Sequence, residues 1–223
     1  MSGSSPDVSE VLRILSRELR RGRYADAPVL ASTAERTPFQ VLVGCLVSQR
    51  VRDEQTAKIC AELFAAASTP ERLAKLSRPR LERILRPAGF YRQKTKHLRA
   101  LAKQVLELGE VPHTREGLLA LPGIGPKCAN IVLASCFGAP AIAVDTHVHR
   151  ISNRLGWVGT RTPEQTEAAL TPLVPVRWRR RVNRLLVAHG QLVCKPRQPR
   201  CAECAVRPLC RRRGLPAGVP TRG

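Results

Sequence analysis

The segment from Leu121 to Asp145 reads LPGIGPKCANIVLASCFGAPAIAVD: a glycine-punctuated turn, one lysine and, beyond an apolar stretch, one carboxylate. Gly123 and Gly125 stand two apart, which lets backbone amides approach an anion closely, and the turn opens into a helix whose N-terminus favours negative charge. Lys127 falls in the first turn of that helix. An amine placed there meets the positive end of the helix dipole, which favours its neutral, nucleophilic form. The plainer reading of an isolated lysine at such a turn is a solvated or phosphate-binding side chain. Asp145 precedes the apolar-periodic stretch from Thr146 to Leu155, where an aspartate serves as a helix N-cap as readily as it serves as a reacting group.

A second constellation lies near the C-terminus. Cys194, Cys201, Cys204 and Cys210 form C-x6-C-x2-C-x5-C, four soft ligands within 17 residues. The residues between Cys194 and Cys201 (Lys195, Pro196, Arg197, Gln198, Pro199, Arg200) cannot build an apolar core around unpaired thiols, so the cluster reads as a metal site. Zinc and iron-sulfur both accept four thiolates. Zinc ligands usually come as two short knuckles and only one is present, which tilts the reading towards a 4Fe-4S cluster. Ordering that loop would hold Lys195, Arg197 and Arg200 on one surface, where phosphate contact is the natural use.

Helices must position these groups. Thr37-Pro38 and Thr162-Pro163 each pair an N-cap threonine with a proline at the first helical position and a glutamine three residues after the cap, and Thr69-Pro70 is a weaker start. Apolar residues follow at helical spacing and sustained alternation is absent, so the chain reads as all-α. Helices are expected over residues 8–21, 38–49, 53–67, 70–77, 79–86, 92–109, 115–121, 127–136, 146–155, 163–173 and 178–192. The uncharged run from Ile131 to Val144, broken by Gly138, Ala139 and Pro140, suits a core helix followed by a buried connection. The tails, MSGSSP and RRRGLPAGVPTRG, are small, polar or basic and are expected to fray.

The 223 residues suffice for one large domain or two small ones. Lys and Arg number 38 against 17 Asp and Glu, a formal charge of +21 that points to a polyanionic partner, nucleic acid before a membrane surface. Only seven of those cations are lysines, so Lys127 is less readily explained as charge alone. The N-terminus lacks a basic-then-apolar signal pattern, and no uncharged run reaches the roughly 18 residues of a membrane span. Cys45, Cys60, Cys128 and Cys136 are scattered singly through apolar helical stretches, as in a reducing compartment. A cytoplasmic protein is expected, nucleoid-associated in a bacterium.

Taken together, Leu121–Lys127, Val144-Asp145-Thr146-His147-Val148 and the cysteine quartet resemble the endonuclease III family, DNA glycosylases with AP-lyase activity in the helix-hairpin-helix glycosylase superfamily. Val47-Ser48-Gln49, Gly89-Phe90-Tyr91 and Ala188-His189-Gly190 agree more weakly, and only the tails lie outside the likeness. The resemblance implies a two-lobed all-α protein. One lobe would combine residues 1–29 with 140–223, the N-terminal helix with the iron-sulfur region; the other, residues 30–139, would be a six-helix domain with the helix-hairpin-helix. Double-stranded DNA carrying damaged bases or abasic sites would bind across the cleft between them, with the protein acting as a monomer. Lys127 would attack C1′ of the damaged nucleotide and Asp145 would assist. Gln49 would fill the space left by the extruded nucleotide and Phe90 would wedge the opposite strand; Gly123, Gly125, Lys195, Arg197 and Arg200 would bind DNA. The four cysteines would hold a 4Fe-4S cluster, and oxidised pyrimidines would be the substrates.

Extrusion of the base is a physical necessity for chemistry at a buried glycosidic bond, and poorly stacked damaged bases lower its cost. Two departures from the family pattern stand out: Pro126 where a basic residue is frequent, and Cys128 where threonine is usual. The segment Ser48–Asp53 also spaces its aspartate differently and adds Arg50 and Arg52. Within the enzyme class the alternative is a monofunctional mismatch or alkylated-base glycosylase, which Lys127 disfavours; outside it, a helix-hairpin-helix protein that binds DNA without cutting it. His147 reads equally as a buried hydrogen-bonding residue or a pocket residue, and Phe90 and Tyr91 also read as core aromatics.

Overall fold

The computed structural model describes residues 6–27 and 36–215, among which there are eleven α-helices and no strand. They are α1 (Val8–Arg20), α2 (Pro38–Ser48), α3 (Asp53–Ala66), α4 (Pro70–Lys75), α5 (Arg78–Leu85), α6 (Tyr91–Leu108), α7 (Arg115–Leu119), α8 (Pro126–Cys136), α9 (Thr146–Leu155), α10 (Pro163–Leu173) and α11 (Val176–Leu192). Their starts follow local chemistry. Thr37 Oγ1 accepts from Gln40 N (3.3 Å) while Gln40 Oε1 takes Thr37 N (3.1 Å), a closed capping box. At α10 the box is looser: Thr162 accepts from Gln165 N, but the Gln165 side chain reaches past it to Arg161 N (2.9 Å). Thr69 and Thr114 cap α4 and α7 in the same single-sided way. No described helix is long and apolar enough to cross a membrane.

The chain divides into two compact units, Ala31–Ala139 and Met1–Leu30 with Pro140–Gly223. The continuous unit packs α2 against α3, α6 and α8, and α4 against α6, around Leu42, Leu46, Leu63, Leu98 and Leu101, all buried. Each such side chain contributes about 1.5–3 kcal/mol by leaving water. The discontinuous unit packs α1 and α9 on α11 around Leu12, Leu15, Ile151, Leu155 and Leu186.

Three short elements were not anticipated: single 3₁₀ turns at Arg86–Ala88, Cys201–Glu203 and Arg207–Leu209, each too brief to leave a periodic pattern. The expected boundary near residue 29, residues 1–5 and residues 216–223 lie outside the described residues. The fraying expected from Arg211 onwards needs correction. Arg211 N and Arg213 N donate to Leu155 O (3.4 Å) and Arg154 O (3.1 Å), so this basic stretch satisfies open carbonyls at the end of α9.

Candidate active site and cysteine site

In the continuous unit, α7 and α8 form a helical hairpin whose turn carries the glycine pair. Gly123 is required twice over: its φ is +77°, and a Cβ there would meet Leu46 Cδ2 and His97 Nδ1 at 2.8 Å. Gly125 differs. It has ordinary backbone, it stands at the N-cap of α8, and a Cβ there would meet nothing within 4 Å. Its bareness leaves open space in front of the helix terminus rather than relieving a clash. Pro126 fills the first helical position, no acid lies in the first turn, and Lys127 is exposed on that turn.

Gln49, the C-cap residue of α2, reaches this turn and donates from Nε2 to Gly123 O (3.0 Å). Its own carbonyl accepts from Lys94 Nζ (2.6 Å), which also reaches Leu46 O (3.2 Å). Lys94 is 6% exposed, and burial lowers its pKa; its charge lies at the negative end of α2, where a cation is favoured. Beyond Gln49 the chain turns sharply, with φ +57° at Arg50, and Phe90 at the N-cap of α6 has φ +50°. Two non-glycine residues in the left-handed region each cost about 1–3 kcal/mol. The Arg50 guanidinium lies over the Phe90 ring, 5.6 Å from its centroid. Phe90 is 65% exposed, which overturns its reading as a core aromatic. Gln49 and Phe90 therefore stand on neighbouring turns joined by Arg50.

Beside Lys127, the Cys128 thiol is buried against Cys45 of α2. The hydrogen bond from Cys45 pulls the pKa of Cys128 down, opposed by burial and assisted by the Lys127 charge, the Gly125 backbone and the Gln49 side chain.

The discontinuous unit holds the other candidates. Asp145 is the N-cap of α9, and its Oδ1 accepts from both His147 N and Val148 N at 2.9 Å. Both bonds end on one oxygen, so the cap role leaves Oδ2 available. Nearby on α9, His147 Nδ1 and Arg150 meet at 3.2 Å, and a Cβ at Gly190 would strike that imidazole at 2.5 Å.

Helix α9 also shapes the cysteine loop, through two arginines that sequence reasoning missed. Arg150 donates to Cys194 O (2.9 Å); Arg154, 4% exposed, donates to Lys195 O and Pro196 O (both 2.7 Å) and to Cys194 Sγ (3.4 Å). Cys210 Sγ lies 3.4 Å from Arg154 O and from Arg212 N, and Cys204 Sγ 3.6 Å from His189 Nε2. The opposite imidazole nitrogen meets the Tyr24 hydroxyl at 3.0 Å. Burial, aided by the charge of Arg150, pushes His189 down to about 4, so near neutral pH its imidazole is uncharged, one ring nitrogen donating and the other accepting between Tyr24 and Cys204. All four cysteines line one cavity of about 30 Å³ together with Ile151 and Val206. Burial raises Cys204 to about 12. Of the loop cations, Lys195 is half-buried, Arg197 is exposed, and Arg200 is exposed at 4.0 Å from Glu203.

A family model for the HhH-GPD superfamily of base excision DNA repair proteins matches residues 43–175, more than half of the chain. The endonuclease III of Thermotoga maritima is 48% identical over 185 residues, covering 81% of this chain and 87% of that one. The chain belongs to the endonuclease III family. The Escherichia coli member is 36% identical over 176 residues, 78% of this chain and 83% of the relative. A solved structure described as a trapped endonuclease III–DNA covalent intermediate, an estranged-adenine complex, matches with a TM-score of 0.75 at 34% identity, covering 80% of this chain and 85% of the other. As a member of the endonuclease III family the protein is a base excision repair enzyme, a DNA glycosylase with AP-lyase activity.

Proposed function

We propose that this protein releases oxidised pyrimidines from duplex DNA and cuts the strand by β-elimination, with Lys127 as the nucleophile and Asp145 as its assisting carboxylate. The observation that carries the reading is the placement of Lys127, exposed on the first turn of an uncapped helix whose approach is kept open by Gly125. That a relative alike over 80% of this chain has been trapped as a covalent intermediate with DNA supports an amine in that role.

Lys127 Nζ, unprotonated, forms a bond to C1′ as the glycosidic bond breaks, and the base leaves with the bonding electrons. The Schiff base that follows acidifies the hydrogen on C2′, and its loss expels the 3′ phosphate; a water nucleophile would stop at the abasic site. The Asp145 carboxylate, fixed through Oδ1 by its cap bonds, carries the negative charge that favours the developing oxocarbenium character and accepts protons through Oδ2. Backbone amides at Gly123 and Gly125 hold a phosphate at the helix terminus. Gln49 and Phe90, on turns held by strained backbone and the Arg50 stack, fill and wedge the duplex when the base is extruded. Lys195, Arg197 and Arg200 bind the phosphate backbone.

For the cofactor, the donor set fits four-thiolate ligation. Four cysteines line one cavity, with the Arg154 guanidinium and the Arg212 backbone amide directed at the sulfurs and His189 beside Cys204. Cys194, Cys201, Cys204 and Cys210 would hold a 4Fe-4S cluster, which stabilises the thiolate forms that burial alone disfavours. It would act in the cytoplasm, nucleoid-associated in a bacterium.

Borohydride reduction on duplex DNA containing an oxidised pyrimidine tests the reading. Wild type is expected to become covalently attached and Lys127→Ala to lose attachment altogether; attachment undiminished in Lys127→Ala would overturn the assignment.

A further inference from the structure

Helix α11 opens with an arginine run, VRWRRRVNR, of which the catalytic reading makes no use. Arg177, Arg181 and Arg184 recur at i, i+4 and i+7, so they share one helix face, and all three are exposed. Arg180, which has a partner of its own, is left out of the stripe. Arg179 turns elsewhere and is structural: its Nε donates to Val174 O (3.1 Å) and its Nη2 to Thr171 O (2.7 Å), closing the end of α10. Trp178 lies under the Arg181 guanidinium, 5.6 Å from the ring centroid.

This placement works against the helix. The first turn of α11 has no acidic residue and Pro175 supplies no side-chain cap, so the positive end of the dipole is met by more positive charge. A cation in the first turn and like charges at i, i+3 or i, i+4 both destabilise a helix. Acidic residues there would have stabilised α11. A stripe that lowers stability and closes on no carboxylate of its own helix is explained by a negative ligand.

The ligand's form follows from the spacing. Arg177 to Arg184 spans about 10 Å of helix at 1.5 Å per residue, along which duplex DNA presents about six phosphate charges at one per roughly 1.7 Å. Guanidinium, with planar paired donors, suits phosphate better than ammonium does. The stripe also starts about 22 Å of helix before the end of α11, remote along that helix from the cysteine loop.

We propose that the face of α11 bearing Arg177, Arg181 and Arg184 is an accessory contact for the phosphate backbone of duplex DNA, separate from the helix-hairpin-helix and from the cysteine loop. It rests on the reading of the protein as a DNA repair enzyme. Its contribution is sequence-independent affinity, which keeps the enzyme on undamaged duplex while it searches.

The test is the triple variant Arg177→Gln, Arg181→Gln, Arg184→Gln, compared in the intact protein with wild type and with a charge-matched control, Arg72→Gln, Arg80→Gln, Arg83→Gln. Binding to a long undamaged duplex is measured across salt concentrations, alongside the thermal midpoint and single-turnover borohydride trapping on a lesion duplex at saturating enzyme. The stripe variant should lower the slope of log affinity against log salt by about 2.7, roughly 0.9 for each phosphate no longer neutralised. Its trapping rate should stay within twofold, and its midpoint should hold or rise. An unchanged slope, an equal loss in the control, or a lowered midpoint would each overturn the proposal; the middle result would show net charge alone at work, and the last a structural role for the arginines. Wild type that neither traps nor binds duplex would instead remove the enzymatic reading beneath it.

Discussion

Asp145 combines two tasks that one pair of substitutions separates. Its Oδ1 receives two backbone amides at 2.9 Å, so Asp145→Ala removes both acceptors and leaves His147 N and Val148 N unmatched at the start of α9. Loss of an N-cap costs about 0.5–2 kcal/mol, and the two-bond geometry argues for the upper half of that range. In a chain of this size about 1 kcal/mol lowers the thermal midpoint by about 2–4 °C, so Asp145→Ala should fall by about 3–8 °C. Asn caps as well as Asp does and retains an oxygen where Oδ1 lies, losing only the charge–dipole part, about 0.3–1 kcal/mol. Asp145→Asn should therefore melt within about 4 °C of wild type. In single-turnover base release the two variants should be alike, both slowed by about 10²-fold or more, because neither has a carboxylate to assist Lys127. Melting curves and gel-resolved base release on one lesion duplex give both readouts. If Asp145→Asn released base at the wild-type rate, the carboxylate would be a cap and nothing else.

Gly123→Ala should cost about 1–3 kcal/mol and slow trapping by Lys127, since alanine meets both a left-handed φ and contacts at 2.8 Å; Gly125→Ala, in open space with ordinary backbone, should melt like wild type while weakening DNA binding. Denaturant melts and filter binding on the same two proteins decide between these outcomes. Arg154→Met removes donors to two loop carbonyls and a thiol, and should cost about 3 kcal/mol or more and leave purified protein with less than half the wild-type iron per chain. Full iron content and visible absorbance in that variant would refute the account of how the loop is held.

Local chemistry made the helix starts legible. Thr37, Thr69 and Thr162 each cap the helix that their Thr-Pro pair announces, and the hairpin glycines stand at the turn that presents Lys127. The reasons for the two glycines were less visible, because close approach to Leu46 and His97 depends on helices distant in sequence. Buried charges escaped altogether. Lys94 falls at helical spacing with Leu98, Leu101 and Val105 and Arg154 three residues from Ile151, so both charges interrupt apolar faces, and the carbonyls that hold them and the half-buried Arg150, 40 or more residues away, leave no mark on spacing. Phe90 reads as core by composition; its exposure follows from a left-handed turn that no aromatic residue advertises.

The hydrogen bond from Tyr24 to His189 spans 165 residues and bears on the order in which the chain is assembled. The unit from Ala31 to Ala139 is continuous and can complete its core while later residues are still being synthesised. Helix α1 and Tyr24 are made before the rest of their unit, and their apolar faces are covered only once α9, α11 and the cysteine loop follow. Closing so long a loop carries an entropic cost, so the N-terminal segment docks only once the C-terminal part of its unit is available. During synthesis α1 is exposed to proteases and chaperones, and a nascent chain stalled before Cys194 would present one finished unit and an unclaimed amphipathic helix.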